Sequence, residues 1–173
     1  MPAALVLIDL QQGLLSEEAA AFEGQRILGN AAGLLAIARR AGIPVFHVQH
    51  DGGKGDVLCR GTAGWQHHPA VAPGPGEAVV EKIYSSSFDG TELDALLKGA
   101  GVDRLVIAGM QTEFCVDTTC RSAAERGYQV VLVSDAHTTF DSAVLPAEKI
   151  IAHHNQTLGG GFVQLTKAAD VRF

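Results

Sequence analysis

The chain alternates short apolar runs with longer stretches in which apolar residues recur every three or four positions. The short runs are rich in β-branched residues and predict six strands, at Ala4–Ile8, Pro44–Gln49, Ala78–Glu81, Leu105–Ala108, Val130–Val133 and Phe162–Leu165. The longer stretches predict helices, roughly at Gln25–Ala41, Glu92–Ala100, Cys115–Arg126 and Ala143–Leu158. Several of these helices are followed by a glycine that can end a helix.

This order of strands and helices predicts an α/β fold with parallel strands. The predicted strands have no polar face, so we expect helices to cover both sides of the sheet. The fold class is therefore a three-layer α/β/α sandwich with a six-stranded parallel sheet, Rossmann-like. In such folds the ligand lies beyond the carboxyl ends of the strands. Asp9, His50, Lys82 and the segment 109–115 occupy such positions.

Composition and charge narrow the class of protein. The 173 residues are 47% hydrophobic and 18% charged, which fits one globular domain over residues 1–173. The net charge is −6 and the basic residues are scattered, so we expect a small-molecule substrate and neither a nucleic acid nor a membrane as partner.

The start of the chain and its cysteines predict the compartment. The first residues contain no basic segment, and no apolar run approaches the ~20 residues that span a bilayer. The three cysteines have an irregular spacing, which favours neither a disulfide framework nor a metal site. These features predict a soluble cytoplasmic protein with free thiols.

A long glycine-rich segment, residues 51–76, interrupts the compact pattern and contains Trp65, His67 and His68. Segments of this kind are usually lids, partner contacts or disordered. The sequence does not distinguish these three roles.

Two charged residues end predicted strands. A carboxylate at the position of Asp9 can orient or deprotonate a nucleophile, although an aspartate there also commonly caps the next turn with its own side chain. A lysine at the position of Lys82 would lower the pKa of a nearby thiol, but it would also suit an exposed strand end. Either residue indicates a catalytic role only in combination with a nucleophile.

Residues 106–116 combine a strand, a glycine-led turn and the start of a predicted helix. Cys115 is expected to open that helix, where the helix dipole stabilises a thiolate and free amides can bind an oxyanion. The other interpretation is a buried cysteine that packs as a small apolar residue, and Cys120 fits that description.

No metal or cofactor motif is present. The histidine pairs His67-His68 and His153-His154 are adjacent in sequence, so neither pair can clamp a metal ion from one helix face. The first predicted strand is followed by Asp-Leu-Gln-Gln-Gly at residues 9–13, which is not a dinucleotide-binding GxGxxG motif. We therefore expect neither a metal nor a cofactor.

Asp9 follows the first strand, Lys82 follows the third, and residues 109–116 read Gly-x-x-Thr-x-x-Cys-Val. Together these features resemble the isochorismatase-like cysteine hydrolases, the family of nicotinamidases and carbamoylsarcosine amidohydrolases. The resemblance covers nearly the whole chain. It implies a catalytic triad of Asp9, Lys82 and Cys115 that acts on small amides, carbamoyl compounds or related molecules.

The resemblance also implies a mechanism. Cys115 attacks the carbonyl to form a thioester, Asp9 transfers the proton, and Lys82 holds the ion pair. A cis peptide is expected between Met110 and Gln111, with the backbone amides of Gln111 and Cys115 forming the oxyanion hole. Gln11, Trp65, Phe88, Glu113 and Phe114 are candidate substrate contacts, which could equally pack in a lid or at a subunit contact.

The departures from the family pattern bear on the substrate. Nicotinamidases carry an Asp-x-His motif and a further His as metal ligands after the second strand, whereas this chain reads His-Asp-Gly-Gly at residues 50–53. Isochorismatases cleave a vinyl ether and need no thiol at Cys115. An amidase is therefore favoured over a vinyl-ether or other non-amide hydrolase and over a catalytically idle binding relative. The resemblance further implies a homo-oligomer, a dimer or tetramer.

Overall fold

A parallel six-stranded sheet forms the centre of the protein, in a computed structural model that describes residues 2–173. Met1, the first residue of the predicted domain, lies outside the described residues. The sheet order is β3-β2-β1-β4-β5-β6, and every neighbouring pair is parallel, as predicted. The strands are β1 (Ala3–Ile8), β2 (Val45–His50), β3 (Ala78–Lys82), β4 (Arg104–Met110), β5 (Gln129–Thr138) and β6 (Gln164–Thr166).

Helices cover both faces of this sheet. They are α1 (Gln12–Leu15), α2 (Gly24–Arg40), α3 (Leu93–Gly99), α4 (Asp117–Glu125) and α5 (Ala147–Gly159). Leu34 of α2 packs with Leu5 of β1 in one buried cluster, whereas Leu97 of α3 and Leu158 of α5 share the other cluster with Ile8. The two cores confirm the predicted three-layer sandwich. Within residues 2–173, no helix has the length and apolar character needed to cross a membrane.

The direction of the chain through the sheet reverses between β1 and β4. From β1 the chain moves outward through β2 to β3, and then it returns to β4 and continues to β5 and β6. Such a reversal leaves a crevice at the carboxyl ends of the two central strands. Gly109 permits their close approach, because its φ is 141° and a Cβ there would overlap the carbonyl of Ile8.

Several element boundaries differ from the sequence-based prediction. β5 continues to Thr138, past the predicted end at Val133, because a register shift between Ile107 and Gly109 lets it pass the polar Ser134 and still pair with β4. α5 begins at Ala147, since Pro146 precedes its first turn and Ser142 forms a separate turn with Leu145. β6 begins at Gln164, because the N–H groups of residues 162 and 163 donate to the last turn of α5.

Candidate active site

Asp9 lies at the crevice between the central strands. It directly follows β1, is 1% exposed and has a φ of 51°. Its N–H donates to the carbonyl of Val48 (3.0 Å), and its carbonyl accepts from the N–H of Gln11 (2.8 Å). Within the described chain, its carboxylate bonds to Lys82 and not to a backbone amide, so it does not cap the next turn.

Lys82, the last residue of β3, is 3% exposed and therefore not a solvated strand end. Its Nζ lies 2.8 Å from Oδ2 of Asp9, 3.1 Å from Sγ of Cys115 and 3.3 Å from Nδ1 of His50. The ammonium thus joins groups from the ends of four strands. A buried lysine requires such partners, because an unpaired charge is costly away from water.

Cys115 does not open the α-helix, which corrects the predicted helix start. It lies in a π-helical turn, Thr112–Val116, that leads directly into α4. The N–H groups of Phe114 and Val116 both donate to the carbonyl of Gln111, at 3.2 and 3.1 Å, and this wider turn replaces the first α-helical turn. Cys115 is 9% exposed and points to Lys82 from within the turn.

The Cys115 thiol is not stabilised as a thiolate. Burial, together with the nearby negative charge of Asp9, raises the pKa of Cys115 to about 12, while Lys82 acts in the opposite direction. Lys82 lowers the thiol pKa, as expected, but its effect is smaller than the combined effect of burial and Asp9. Asp9 already pairs with the ammonium, so Lys82 cannot offset both burial and the carboxylate.

One oxygen of Asp9 is kept free. Oδ2 is bonded to Lys82, whereas Oδ1 is shielded from solvent and has no hydrogen-bond partner among residues 2–173. Buried carboxylate oxygens normally have partners. An unpaired oxygen beside a protonated thiol is a suitable acceptor for the thiol proton.

A cavity of about 310 Å³ opens above these residues. Its volume is at the lower end of the roughly 300–1,000 Å³ that is typical of small-molecule sites. The cavity lies at the carboxyl edge of the sheet and is formed by strand ends, the loop 51–76 and the π turn. The residues that line it are Asp9, Leu14, His50, Asp56, Val57, Leu58, Ser85, Gln111, Phe114 and Cys115.

The peptide between Met110 and Gln111 is cis. It joins the end of β4 to the π turn. Gln111 and Cys115 both line the cavity, and Met110 is fully buried.

Gln11 holds the cavity wall and does not line the cavity, which corrects its prediction as a substrate contact. Its Oε1 accepts from the N–H of His50 (2.9 Å). Its Nε2 donates to the carbonyls of His50 (3.0 Å) and Trp65 (2.8 Å). The side chain is thus fully engaged in joining β2 to the loop 51–76.

The structure places the other predicted substrate contacts in different surroundings, and only one of them lines the cavity. Phe114 is half-exposed and lines the cavity. Phe88 is buried and stacks on Tyr128, with ring centroids 6.0 Å apart, so it belongs to the core. Trp65 and Glu113 are absent from the cavity lining, and Glu113 accepts a hydrogen bond from Thr139 (2.9 Å). Packing and hydrogen bonding decided these positions.

The loop 51–76 is an ordered wall of the cavity. It contributes Asp56, Val57 and Leu58 to the lining. It is attached to the start of α1 by a bridge between Gln11 and His67 and by a hydrogen bond from the N–H of Gln12 to the carbonyl of residue 66 (2.8 Å). Sequence reasoning missed these lining residues, since nothing in a glycine-rich loop shows which side chains turn inward.

The side chains at the end of β2 and just after it are engaged with other partners. Nδ1 of His50 faces the Lys82 ammonium. Oδ1 of Asp51 accepts from the N–H groups of Gly53 (2.9 Å) and Arg60 (3.1 Å). Between residues 2 and 173, no three His, Cys, Asp or Glu side chains converge as metal ligands.

Comparison with known proteins places the chain in a family. The isochorismatase domain model matches residues 3–151. A streptothricin hydrolase from Streptomyces noursei is 45% identical over 143 residues, which are 83% of this chain and 52% of that protein. The isochorismatase family protein YddQ of Bacillus subtilis is 36% identical over 157 residues, covering 87% of both chains.

A solved structure extends the likeness to the fold. An isochorismatase from Pseudomonas putida KT2440 superposes with a TM-score of 0.95 at 31% identity, covering 99% of this chain and 90% of that one. This chain spans about half the length of the streptothricin hydrolases that it matches. The family resemblance inferred from the residues is therefore confirmed, and the chain belongs to the isochorismatase family of hydrolases.

Proposed function

We propose that the protein is a cysteine amidohydrolase that cleaves a small amide, carbamoyl or similar C–N bond through a thioester on Cys115. The observation that carries the proposal is the position of Lys82, whose Nζ contacts both Asp9 (2.8 Å) and Cys115 (3.1 Å) at the floor of the cavity. A base and a thiol that both contact the same cation are groups that nucleophilic catalysis needs. The relative named streptothricin hydrolase is consistent with hydrolysis.

In the resting site the thiol is protonated, because burial and Asp9 raise the pKa of Cys115. The thiol proton passes to Oδ1 of Asp9 as Sγ bonds to the substrate carbonyl carbon. The backbone amides of Gln111 and Cys115 are proposed to stabilise the oxyanion, in keeping with their place in the cavity lining. Lys82 keeps the Asp9 carboxylate in place and offsets the negative charge that develops at sulfur.

The tetrahedral intermediate then collapses and its C–N bond breaks. Asp9 returns the proton to the leaving nitrogen, which departs as an amine or ammonia and leaves an acyl thioester on Cys115. Water attacks the thioester while Asp9 accepts a proton from it. The acid product is released, and the proton returns to Sγ, so the enzyme regains its starting state.

The test is ammonia release from a panel of small amides that includes nicotinamide, ureido acids and maleamate-like acids. Turnover is expected to fall at least about a thousandfold in Cys115→Ala. Cys59→Ala is the matched control, because Cys59 is a thiol outside the cavity lining. Ammonia release that survives in Cys115→Ala would show that Cys115 is not the nucleophile. A folded protein that turns over none of the panel would favour vinyl-ether or other non-amide chemistry, or a non-catalytic binding role.

A further inference from the structure

The cavity around Cys115 carries an unbalanced negative charge. Within the part of the chain that the structure describes, its lining contains the carboxylates of Asp9 and Asp56 and no lysine or arginine. Lys82 neutralises Asp9 from below. Burial and Lys82 together lower the pKa of His50, so its imidazole is neutral at pH 7. Asp56 is therefore the uncompensated charge of the cavity.

Neighbouring acidic residues are neutralised, in contrast to Asp56. Arg60 forms salt bridges with both Asp51 and Glu81. Asp56 forms no salt bridge with any residue from 2 to 173. The loop 51–76 carries two cations, Lys54 and Arg60. Among residues 2–173, neither forms a salt bridge with Asp56 and neither lines the cavity.

The loop holds the Asp56 carboxylate in one position. Oδ1 accepts from the N–H of Leu58 (2.8 Å), and the N–H of Asp56 donates to the carbonyl of Gly53 (3.2 Å). Gly52 supplies the space for this carboxylate, since a Cβ at position 52 would overlap it. Oδ2 has no hydrogen-bond partner within the described residues and is available to a ligand.

We propose that the cavity selects amides whose non-reacting end carries a positive charge, with Asp56 as the residue that determines this specificity. The proposal rests on the amidase function proposed above and names its substrate class. The ammonium or guanidinium group of the substrate would lie against Asp56 while its carbonyl faces Cys115. A substrate with a carboxylate at the same end would be repelled.

Three amides of similar size test the proposal: 4-aminobutanamide, pentanamide and succinamate, which are cationic, neutral and anionic. We expect the wild-type kcat/KM for ammonia release to be about tenfold higher for the cationic than for the neutral amide, and lowest for the anionic one. Asp56→Asn should bring the cationic-to-neutral ratio close to one. Gly52→Ala should lower this ratio too, since its methyl group displaces the carboxylate.

Asp103→Asn is the matched control, because it makes the same change in net charge at an exposed residue before β4, at the opposite edge of the sheet. The ratio should be unchanged in this variant. In the wild-type protein, the cationic-to-neutral ratio should shrink in high salt, which screens a partly exposed charge. Equal turnover of the three amides, or the same ratio in Asp56→Asn and wild type, would overturn the charge selection.

A second measurement is independent of turnover. A cationic and an anionic methanethiosulfonate reagent are each allowed to react with Cys115 in a Cys59→Ala background. Mass spectrometry gives the rate for each reagent, and each rate is divided by the rate of the same reagent with 2-mercaptoethanol before the two are compared. We expect a ratio of about ten in favour of the cation, which Asp56→Asn removes. If the protein hydrolyses amides through Cys115 but prefers neither the cationic amide nor the cationic reagent, only the charge selection is refuted. If Cys115 prefers the cationic reagent but the protein hydrolyses no amide, the amidase function is refuted and the selection of cations is supported.

Discussion

Two clusters of polar and charged side chains lie near β2 and β3, and they differ in how fully their carboxylates are bonded. One is the candidate active-site cluster of Asp9, Lys82 and Cys115. The other, here called the Glu77 cluster, contains Arg39, His47 and Glu77. Both join separate segments of the chain through one carboxylate.

Glu77 has a complete set of partners. Its two oxygens accept from Nε and Nη2 of Arg39 (2.7 and 2.8 Å), from the N–H of Gly74 (2.7 Å), and lie 2.8 Å from Nε2 of His47. Asp9 bonds through Oδ2 alone among residues 2–173 and keeps Oδ1 unpaired next to a cavity. A fully bonded carboxylate stabilises the fold, whereas a free oxygen beside a thiol can receive a proton.

The largest expected effect is on catalysis. Asp9→Asn should lower the kcat for ammonia release by about a thousandfold, because the amide cannot accept the thiol proton. Glu77→Gln should leave kcat within a few-fold of wild type. Kinetics of both variants, each shown to be folded by circular dichroism, check the contrast. Similar losses in the two variants would mean that Asp9 has no special role as a base.

The next effect concerns thiol reactivity. In the wild-type protein we expect iodoacetamide at neutral pH to modify the half-buried Cys59 faster than Cys115, because burial and Asp9 raise the pKa of Cys115. Asp9→Asn should speed modification of Cys115 on the order of tenfold by removing the negative charge. Peptide mass spectrometry over time measures both rates. An unchanged rate in Asp9→Asn would contradict the proposed contact between carboxylate and thiol.

A smaller effect concerns stability. Glu77→Gln should lower the free energy of unfolding by about 1–3 kcal/mol, because charge-assisted bonds to Arg39 and His47 become weaker neutral ones. Urea denaturation measures the change. Glu148→Gln serves as control, since Glu148 lies on the first turn of α5, away from the Glu77 cluster. Equal stabilities of Glu77→Gln and wild type would show that the cluster adds nothing to the fold.

The smallest effect is a change in acid sensitivity. The pKa of Glu77 is lowered from 4.5 to about 2, mainly by its hydrogen bonds with the side chain of Arg39. The unfolded chain therefore binds this proton first as the pH falls, so the contribution of Glu77 is complete above about pH 4.5 and is lost toward pH 2. Unfolding free energies measured from pH 5 to pH 3 should fall less steeply in Glu77→Gln than in wild type. Parallel slopes would contradict this assignment.

The order of elements and the central residues of the site follow from the sequence. Apolar periodicity predicted all six strands and the sandwich, because burial of near-continuous apolar strands requires helices on both faces. The position of Asp9 and Lys82 at strand ends placed them at one edge, since parallel strands end together. The motif at residues 109–116 identified Cys115 as the candidate nucleophile and indicated the family.

The tertiary structure decided what depends on contacts between distant segments. The π turn around Cys115, the roles of Gln11 in the wall and Phe88 in the core, and the inward position of Asp56 arise from such contacts. The raised pKa of Cys115 has the same origin, because burial and Asp9 together outweigh Lys82. A local pattern identifies which residues can react, but the balance of charge and solvent around them depends on packing across the whole chain.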